Sequence, residues 1–247
     1  MGTLQQFITH EASSVTAGRK RKRKRKEPVG AKRFDYNFDF DRFNREHPHP
    51  LAINTSKAGT TQTVDMRYLD STRLERLDAP ALMLHSEMGT GKSSQVLMKL
   101  VAKYDSVLVV TPKRLFSKSI QGVLKKAGFN FAHYKDDGFW RNNTNNLVIV
   151  ELESLNKLYR NCWNPFGLVI LDESETIIRQ MLCISTHKAK LRSNWETLRW
   201  LIQSSVQTFA ADARMSRITM DYMADVFERK DLHYIRNTCT IPMDVNW

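Results

Sequence analysis

Three cysteines in 247 residues, Cys162, Cys183 and Cys239, are too few, too scattered and odd in number for a disulfide framework. They form no CxxC pair, so no structural zinc site is expected of them, and such sparse thiols suit a reducing compartment. No apolar run approaches the ~20 residues that cross a bilayer, and the N-terminus lacks the apolar stretch of a signal peptide. Myristoylation is excluded because Gln6 stands where Ser or Thr is required. The expectation is a soluble intracellular chain that engages no membrane. Acidic residues are also short, with 26 Asp+Glu against 38 Lys+Arg, a net +12. Apolar residues are not scarce: at 41% they can build a core, which excludes wholesale disorder.

The basic excess is uneven. Residues 1–33 carry ten Lys/Arg and two Glu, a net +8, and Arg19 to Lys26 is an unbroken run of eight alternating Arg and Lys. Such a run repels itself too strongly to pack without an anionic partner, and it reads as a nuclear-import signal or a nonspecific nucleic-acid arm. Phe34, Tyr36, Phe38 and Phe40 then alternate with Asp35, Asn37, Asp39 and Asp41, the period of a strand. Pro48, Pro50 and the polar stretch from Asn54 to Thr63 read as linker. The organisation predicted is a disordered basic tail over 1–33, an aromatic and acidic segment with linker over 34–64, and a folded domain over 65–247.

From Leu77 onward, short apolar runs alternate with segments of helical period, the pattern of a mostly parallel sheet with helices on both faces. Strands are predicted at Ala81 to His85, Val107 to Thr111, Leu147 to Val150, Leu168 to Leu171 and Val206 to Ala210. Phe116, Ile120, Val123, Leu124 and Ala127 share one helical face, and Gly128 is placed to end that helix. Leu191, Trp195, Leu198 and Ile202 repeat the pattern.

Ser86-Glu87-Met88-Gly89-Thr90-Gly91-Lys92-Ser93 follows the first of these strands and opens a helical segment, the context of a phosphate-binding loop. Gly89 and Gly91 let backbone N–H groups turn inward around phosphate oxygens. The helix from Lys92, with Ser93 and Ser94 in its first turn, adds its positive end. Lys92 would reach the β and γ phosphates of ATP, and the Ser93 hydroxyl would ligate Mg²⁺. Ser86 departs from the general pattern, which has Gly there. Leu168-Val169-Ile170-Leu171-Asp172-Glu173-Ser174-Glu175 is a buried strand ending in acids at the edge where ligands bind in open α/β sheets. Asp172 would hold Mg²⁺ and Glu173 would orient and deprotonate an attacking water.

The order of the Ser86 to Ser93 loop, Thr111-Pro112-Lys113-Arg114-Leu115-Phe116-Ser117, Glu153-Ser154-Leu155, Asp172-Glu173-Ser174-Glu175 and Ala211-Asp212-Ala213 resembles the first motor lobe of superfamily 2 helicases. More narrowly it resembles the herpesvirus-type replication origin-binding protein family, over residues 80–240. The resemblance implies a RecA-like P-loop ATPase lobe that contacts nucleic-acid backbone, DNA in preference, and works in replication. It implies Thr111, Lys113, Arg114 and Ser117 as donors to one strand's phosphates, Ser154 as a further donor, and Asp212 at the point coupling nucleotide state to nucleic-acid contact. Only Ala213 to Trp247 follow, room for one helix and one strand, so a second motor lobe or another replication protein is the partner implied for efficient hydrolysis. Two other classes stay open on the residues: a non-hydrolysing nucleic-acid-binding module, and a small-molecule kinase. A GTPase is disfavoured because Asn156-Lys157-Leu158-Tyr159 lacks the Asp of a guanine-binding motif.

Overall fold

The computed structural model describes residues 53–135, 146–159, 165–181, 187 and 190–240. The Arg19 to Lys26 run and the Phe34 to Asp41 alternation lie outside the described residues. Eight strands form one sheet in which every pairing is parallel: β1 (Thr60–Val64), β2 (Ala81–His85), β3 (Val107–Thr111), β4 (Ala132–His133), β5 (Leu147–Glu151), β6 (Leu168–Asp172), β7 (Gln207–Asp212) and β8 (Leu232–Asn237). Their order across the sheet is β1-β8-β2-β7-β6-β3-β5-β4. The α/β architecture read from the sequence is therefore the one adopted.

An all-parallel sheet must be covered on both faces, and its central strands are correspondingly apolar throughout. Alternate residues of each strand serve opposite faces. Ala81 and Met83 of β2 join one core with α3 (Leu155–Tyr159), α4 (Ser174–Met181), α5 (Leu191–Ser204) and α6 (Arg217–Val226). Leu82 and Leu84 join the other, covered by α1 and α2 (Arg114–Lys126). Helix α1 opens as a π-helical stretch, Lys92–Leu97, and continues as α-helix over Met98–Val101.

All five strands predicted from apolar runs are present. Three were not foreseen individually. The polar strand β1 falls inside the stretch read as linker and pairs with β8 at the sheet's edge. β4 is two residues long, too short for any period to register. The single helix and strand for which Ala213 to Trp247 leave room are α6 and β8, and β8 inserts between β1 and β2.

Helix α2 ends as predicted. Gly128 takes φ +91°, its N–H donates to the Lys125 carbonyl (3.0 Å), and the Phe129 N–H reaches back to the Leu124 carbonyl (3.0 Å), the paired bonds of a Schellman cap. Its buried face differs from the predicted stripe. Ile120 and Leu124 are buried, but so is Ser117, while Phe116 and Val123 are 37% and 39% exposed. The helix is turned toward a polar partner under its first turn, described below.

Gly59, which leads into β1, has no room for a side chain: a Cβ there would meet the Arg229 carbonyl oxygen and Lys230 Cα at 2.9 Å, both backbone atoms. Gly59→Ala is expected to lower unfolding stability by about 1–3 kcal/mol, measured as a reduced midpoint in urea denaturation.

Candidate nucleotide-binding site

Parallel register sets the site. Strand β7 lies between β2 and β6, with His85 opposite Asp212 and Ala211 opposite Asp172. The loop leaving β2 and the acids leaving β6 therefore emerge at the same C-terminal edge, one strand apart, with Asp212 between them. The electrostatics agree with the topology, because Lys92 interacts with Glu173, Asp212 and Asp172 at once.

Within the loop, Gly89 and Gly91 take φ values of +78° and +86°, the left-handed region where a side chain is strained. A Cβ on Gly91 would also press on Gln95 Cγ (3.3 Å) and Ser94 Oγ (3.4 Å). Gly91 is the N-cap of α1 and has no side chain to occupy the first N–H groups of the helix, which leaves that end suited to an anion. Lys92 bends back across the loop, its Nζ donating to the Ser86 carbonyl (2.5 Å) and the Glu87 carbonyl (3.0 Å). Burial lowers its pKa, against the upward pull of the surrounding carboxylates. An ammonium so desolvated among acids is poised for a strong anionic ligand.

The Ser86 departure has a structural explanation. Its side chain is buried and sits in a chain of hydrogen bonds: Asn237 Nδ2 to Ser86 Oγ (3.0 Å), Ser86 Oγ with Thr90 Oγ1 (2.7 Å), and Thr90 Oγ1 to the Glu87 carbonyl (2.8 Å). The hydroxyl stiffens the entry to the loop where glycine would only permit it. Asn237 also spans Met66, donating to its carbonyl (2.8 Å) and accepting from its N–H (3.0 Å), and the Leu69 N–H donates to the Thr90 carbonyl (2.8 Å). No sequence signal marked Asn237.

Burial pushes the Asp172 carboxyl up to about 6, with Asp212 adding to the rise and Lys92 opposing it. Glu173 is raised for the same first reason, and it sits at φ +63°, a strained geometry for a non-glycine residue at the turn between β6 and α4. Asp212 is likewise raised by burial. It accepts from the Glu175 N–H (2.8 Å) and the Arg214 N–H (2.7 Å), while its own carbonyl accepts from the Ser86 N–H (3.1 Å). One residue thus ties the loop to the acidic segment. Glu175 continues the chain: Oε1 accepts from Ser216 Oγ (2.5 Å) and Arg179 Nε (2.7 Å), and Oε2 from the Ser216 N–H (3.0 Å) and Thr219 Oγ1 (2.7 Å). Glu175 stood in the acidic motif, but spacing alone gave it no role.

The proposed phosphate donors divide. Lys113 and Arg114 are exposed at the C-terminal edge of β3. Thr111 and Ser117 are wholly buried; the Thr111 hydroxyl faces the Val150 carbonyl (3.5 Å) and that of Ser117 donates to the Arg114 carbonyl (2.8 Å). Both hydroxyls make their hydrogen bonds within the fold. Ser154 is 9% exposed.

The donor set fits a magnesium nucleotide: a hydroxyl (Ser93) and a carboxylate (Asp172) are hard oxygen ligands, and Gly89 and Gly91 keep the turn free of side chains. Because folding raises the Asp172 pKa, the folded chain takes up a proton that the unfolded chain does not between about 6 and the ordinary 3.8. Wild-type stability therefore gains from this group as pH falls and loses it as pH rises through about 6. Asp172→Asn is expected to raise the melting temperature at pH 7 by several degrees, up to roughly 3 kcal/mol, with the gain closing below pH 4. Thermal denaturation across pH checks it.

A family model described as origin of replication binding protein matches residues 62–245. The chain is 30% identical over 144 residues to the replication origin-binding protein of human herpesvirus 7, covering 58% of this chain and 18% of that protein. It is 29% identical over 174 residues to that of human herpesvirus 6B, covering 70% and 22%, and 27% identical over 185 residues to that of varicella-zoster virus (strain Dumas), covering 67% and 21%. The chain thus spans about a fifth of the length of these relatives. Among solved structures it is similar, at 15% identity, to a hypothetical ATP-dependent RNA helicase from Sulfolobus tokodaii (TM-score 0.48, 65% of this chain and 49% of that one). It is also similar to a Sulfolobus solfataricus SWI2/SNF2 ATPase core in complex with dsDNA (TM-score 0.45, 60% and 31%). With the family model matching most of its length, the chain belongs to the replication origin-binding protein family.

Proposed function

We propose that this chain is an ATP-binding, helicase-type motor lobe that contacts the backbone of nucleic acid, DNA in preference, during replication. The observation that carries the reading is the meeting at one sheet edge of the Lys92 loop with Asp172, Glu173 and Asp212. Lys92 and the N–H groups of the Gly89 to Ser93 turn would bind the phosphates, and Ser93 with Asp172 would hold Mg²⁺. Bound there, the magnesium would neutralise charge on the β and γ phosphates. Glu173 would hold the attacking water and accept its proton. Its raised pKa suits a base that must take up a proton.

Asp212 would couple the nucleotide to the rest of the lobe, since it holds both the loop's first N–H and that of Glu175. Lys113 and Arg114 supply the exposed cations for phosphate contact, which positions a strand without reading its bases. Efficient turnover would draw on a second motor lobe or a replication partner supplying further transition-state cations. The Arg19 to Lys26 run would direct the protein to the nucleus.

Lys92→Ala is expected to weaken Mg-ATP binding by about two orders of magnitude, read by calorimetry; unchanged affinity would remove the reading. Glu173→Gln should retain binding and reduce ATP turnover roughly 10²-fold or more. Equal rates in Glu173→Gln and wild type, with and without single-stranded DNA, would instead identify a nucleotide-binding module without turnover.

A further inference from the structure

A second polar cluster lies away from the nucleotide site, at the C-terminal ends of β3, β5 and β4. Its centre is Glu151, a buried carboxylate at the end of β5. Glu151 Oε2 accepts from Lys135 Nζ (2.6 Å) and Tyr134 OH (2.8 Å); Oε1 lies 3.4 Å from Ser117 Oγ and 3.5 Å from His133 Nε2. The Lys135 N–H donates to His133 Nδ1 (3.2 Å), which leaves Nε2 as the protonated nitrogen facing the carboxylate. This is the polar partner toward which α2 turns its Ser117 face. Burial would raise the Glu151 pKa, but its bonds to Lys135 and Tyr134 outweigh that and hold it low, so the carboxylate stays charged.

Above it sits an arrangement that no motif announced. The Lys135 and Lys157 ammonium groups lie 5.1 Å and 5.0 Å from the centroid of one ring, that of Tyr134. The ring is only 2% exposed, so no base can stack on it. Both ammonium groups are close enough to it for attraction to its π-system to offset part of their mutual repulsion. Both lysines are exposed. Lys135 is paired with Glu151, and Glu153 is exposed on the turn before α3. Lys157 is on α3, the helix that follows Ser154, while Ser117 links Glu151 to the first turn of α2, where Arg114 lies. Lys135 is hydrogen-bonded to Glu151, Glu151 adjoins Ser117 in the first turn of α2, and Lys157 adjoins the same Tyr134 ring, so Lys113, Arg114, Lys135 and Lys157 gather at the C-terminal ends of neighbouring strands.

We infer that Lys135 and Lys157, seated on Tyr134, form a phosphodiester-binding site that extends the path of Lys113 and Arg114 along a nucleic-acid backbone. The inference rests on the nucleic-acid reading given above and adds to it two contacts outside its motifs. The site reads charge and spacing alone, so it tolerates any base sequence. Glu151 is its positioning residue, setting where Lys135 and the first turn of α2 stand relative to one another.

The test is the salt dependence of binding of the full chain to a fluorescent oligo-dT, with a duplex of equal length as a second arm. The N-terminal basic run contributes equally to every variant, so differences report the lobe. Lys135→Ala/Lys157→Ala is expected to weaken oligo-dT binding about tenfold at low salt and to reduce the slope of log K against log salt by about 1 to 1.5. Lys135→Arg/Lys157→Arg should keep the slope, and Lys230→Ala, an exposed cation at the opposite edge of the sheet, should leave it unchanged. An unaltered slope in the double alanine variant, with a reduced slope in Lys113→Ala/Arg114→Ala, overturns the inference and leaves the motor-lobe reading standing. An unaltered slope in both overturns the two together. A loss confined to the duplex arm assigns the site to double-stranded backbone, and a loss confined to oligo-dT to single strands.

Discussion

The desolvated ammonium of Lys92 organises this molecule's functional edge. It is withdrawn from water, braced on two loop carbonyls, and faced by Asp172, Glu173 and Asp212. A cation and three acids gathered in a partly buried space repel, attract and desolvate one another in ways that nearly cancel, and what remains shows as raised carboxylate pKa values and a lowered lysine pKa. Such a gathering of charge costs stability in the free protein, and the proposed magnesium nucleotide would offset that cost by giving each charge a partner. The strained φ of Glu173 belongs to the same pattern, since surrounding structure must over-determine such a residue for it to persist.

The scaffold makes that concentration of charge tolerable. Parallel strands cross the core with both faces covered, so polar ends collect at one edge instead of being spread through the interior. Around the edge, hydrogen bonds between side chains and loop backbone lock the elements together. Asn237 holds Ser86 and Met66; Asp212 holds the loop and Glu175; Glu175 in turn caps the approach to α6 through Ser216 and Thr219. A shift in the loop would be felt at α6 through only two intermediaries, Asp212 and Glu175. The Glu151 network does similar work between β5, β4 and α2, and it keeps a separate basic surface in register with the same sheet edge.

Legibility differed by kind of signal. Central strands and the phosphate loop were readable because buried parallel strands are continuous apolar runs and because glycine at Gly89 and Gly91 answers a local backbone need. β1 was not, since an edge strand of Thr and Gln carries the same polar composition as a linker, and only its pairing with β8 makes it a strand. Helix α2 was readable in extent but not in orientation: its apolar period favoured Phe116 and Val123, whereas the buried face carries Ser117 beside Glu151. Nothing local shows that the Thr111 hydroxyl reaches the Val150 carbonyl on the neighbouring strand.

By itself the sequence determined the α/β class, the order of the main strands, the loop that could cradle phosphate, and the acids that could face it, because each rests on residues close together in the chain. Tertiary structure decided what depends on distant residues meeting. Register across β2, β7 and β6 brought Asp212 between loop and acids, the arrival of β8 set Asn237 on Ser86, and the ends of β5 and β4 assembled Glu151, Tyr134 and Lys135. Hydrogen bonds between residues 16 to 151 positions apart leave no period and no motif in the chain, so only the folded sheet could put them in place.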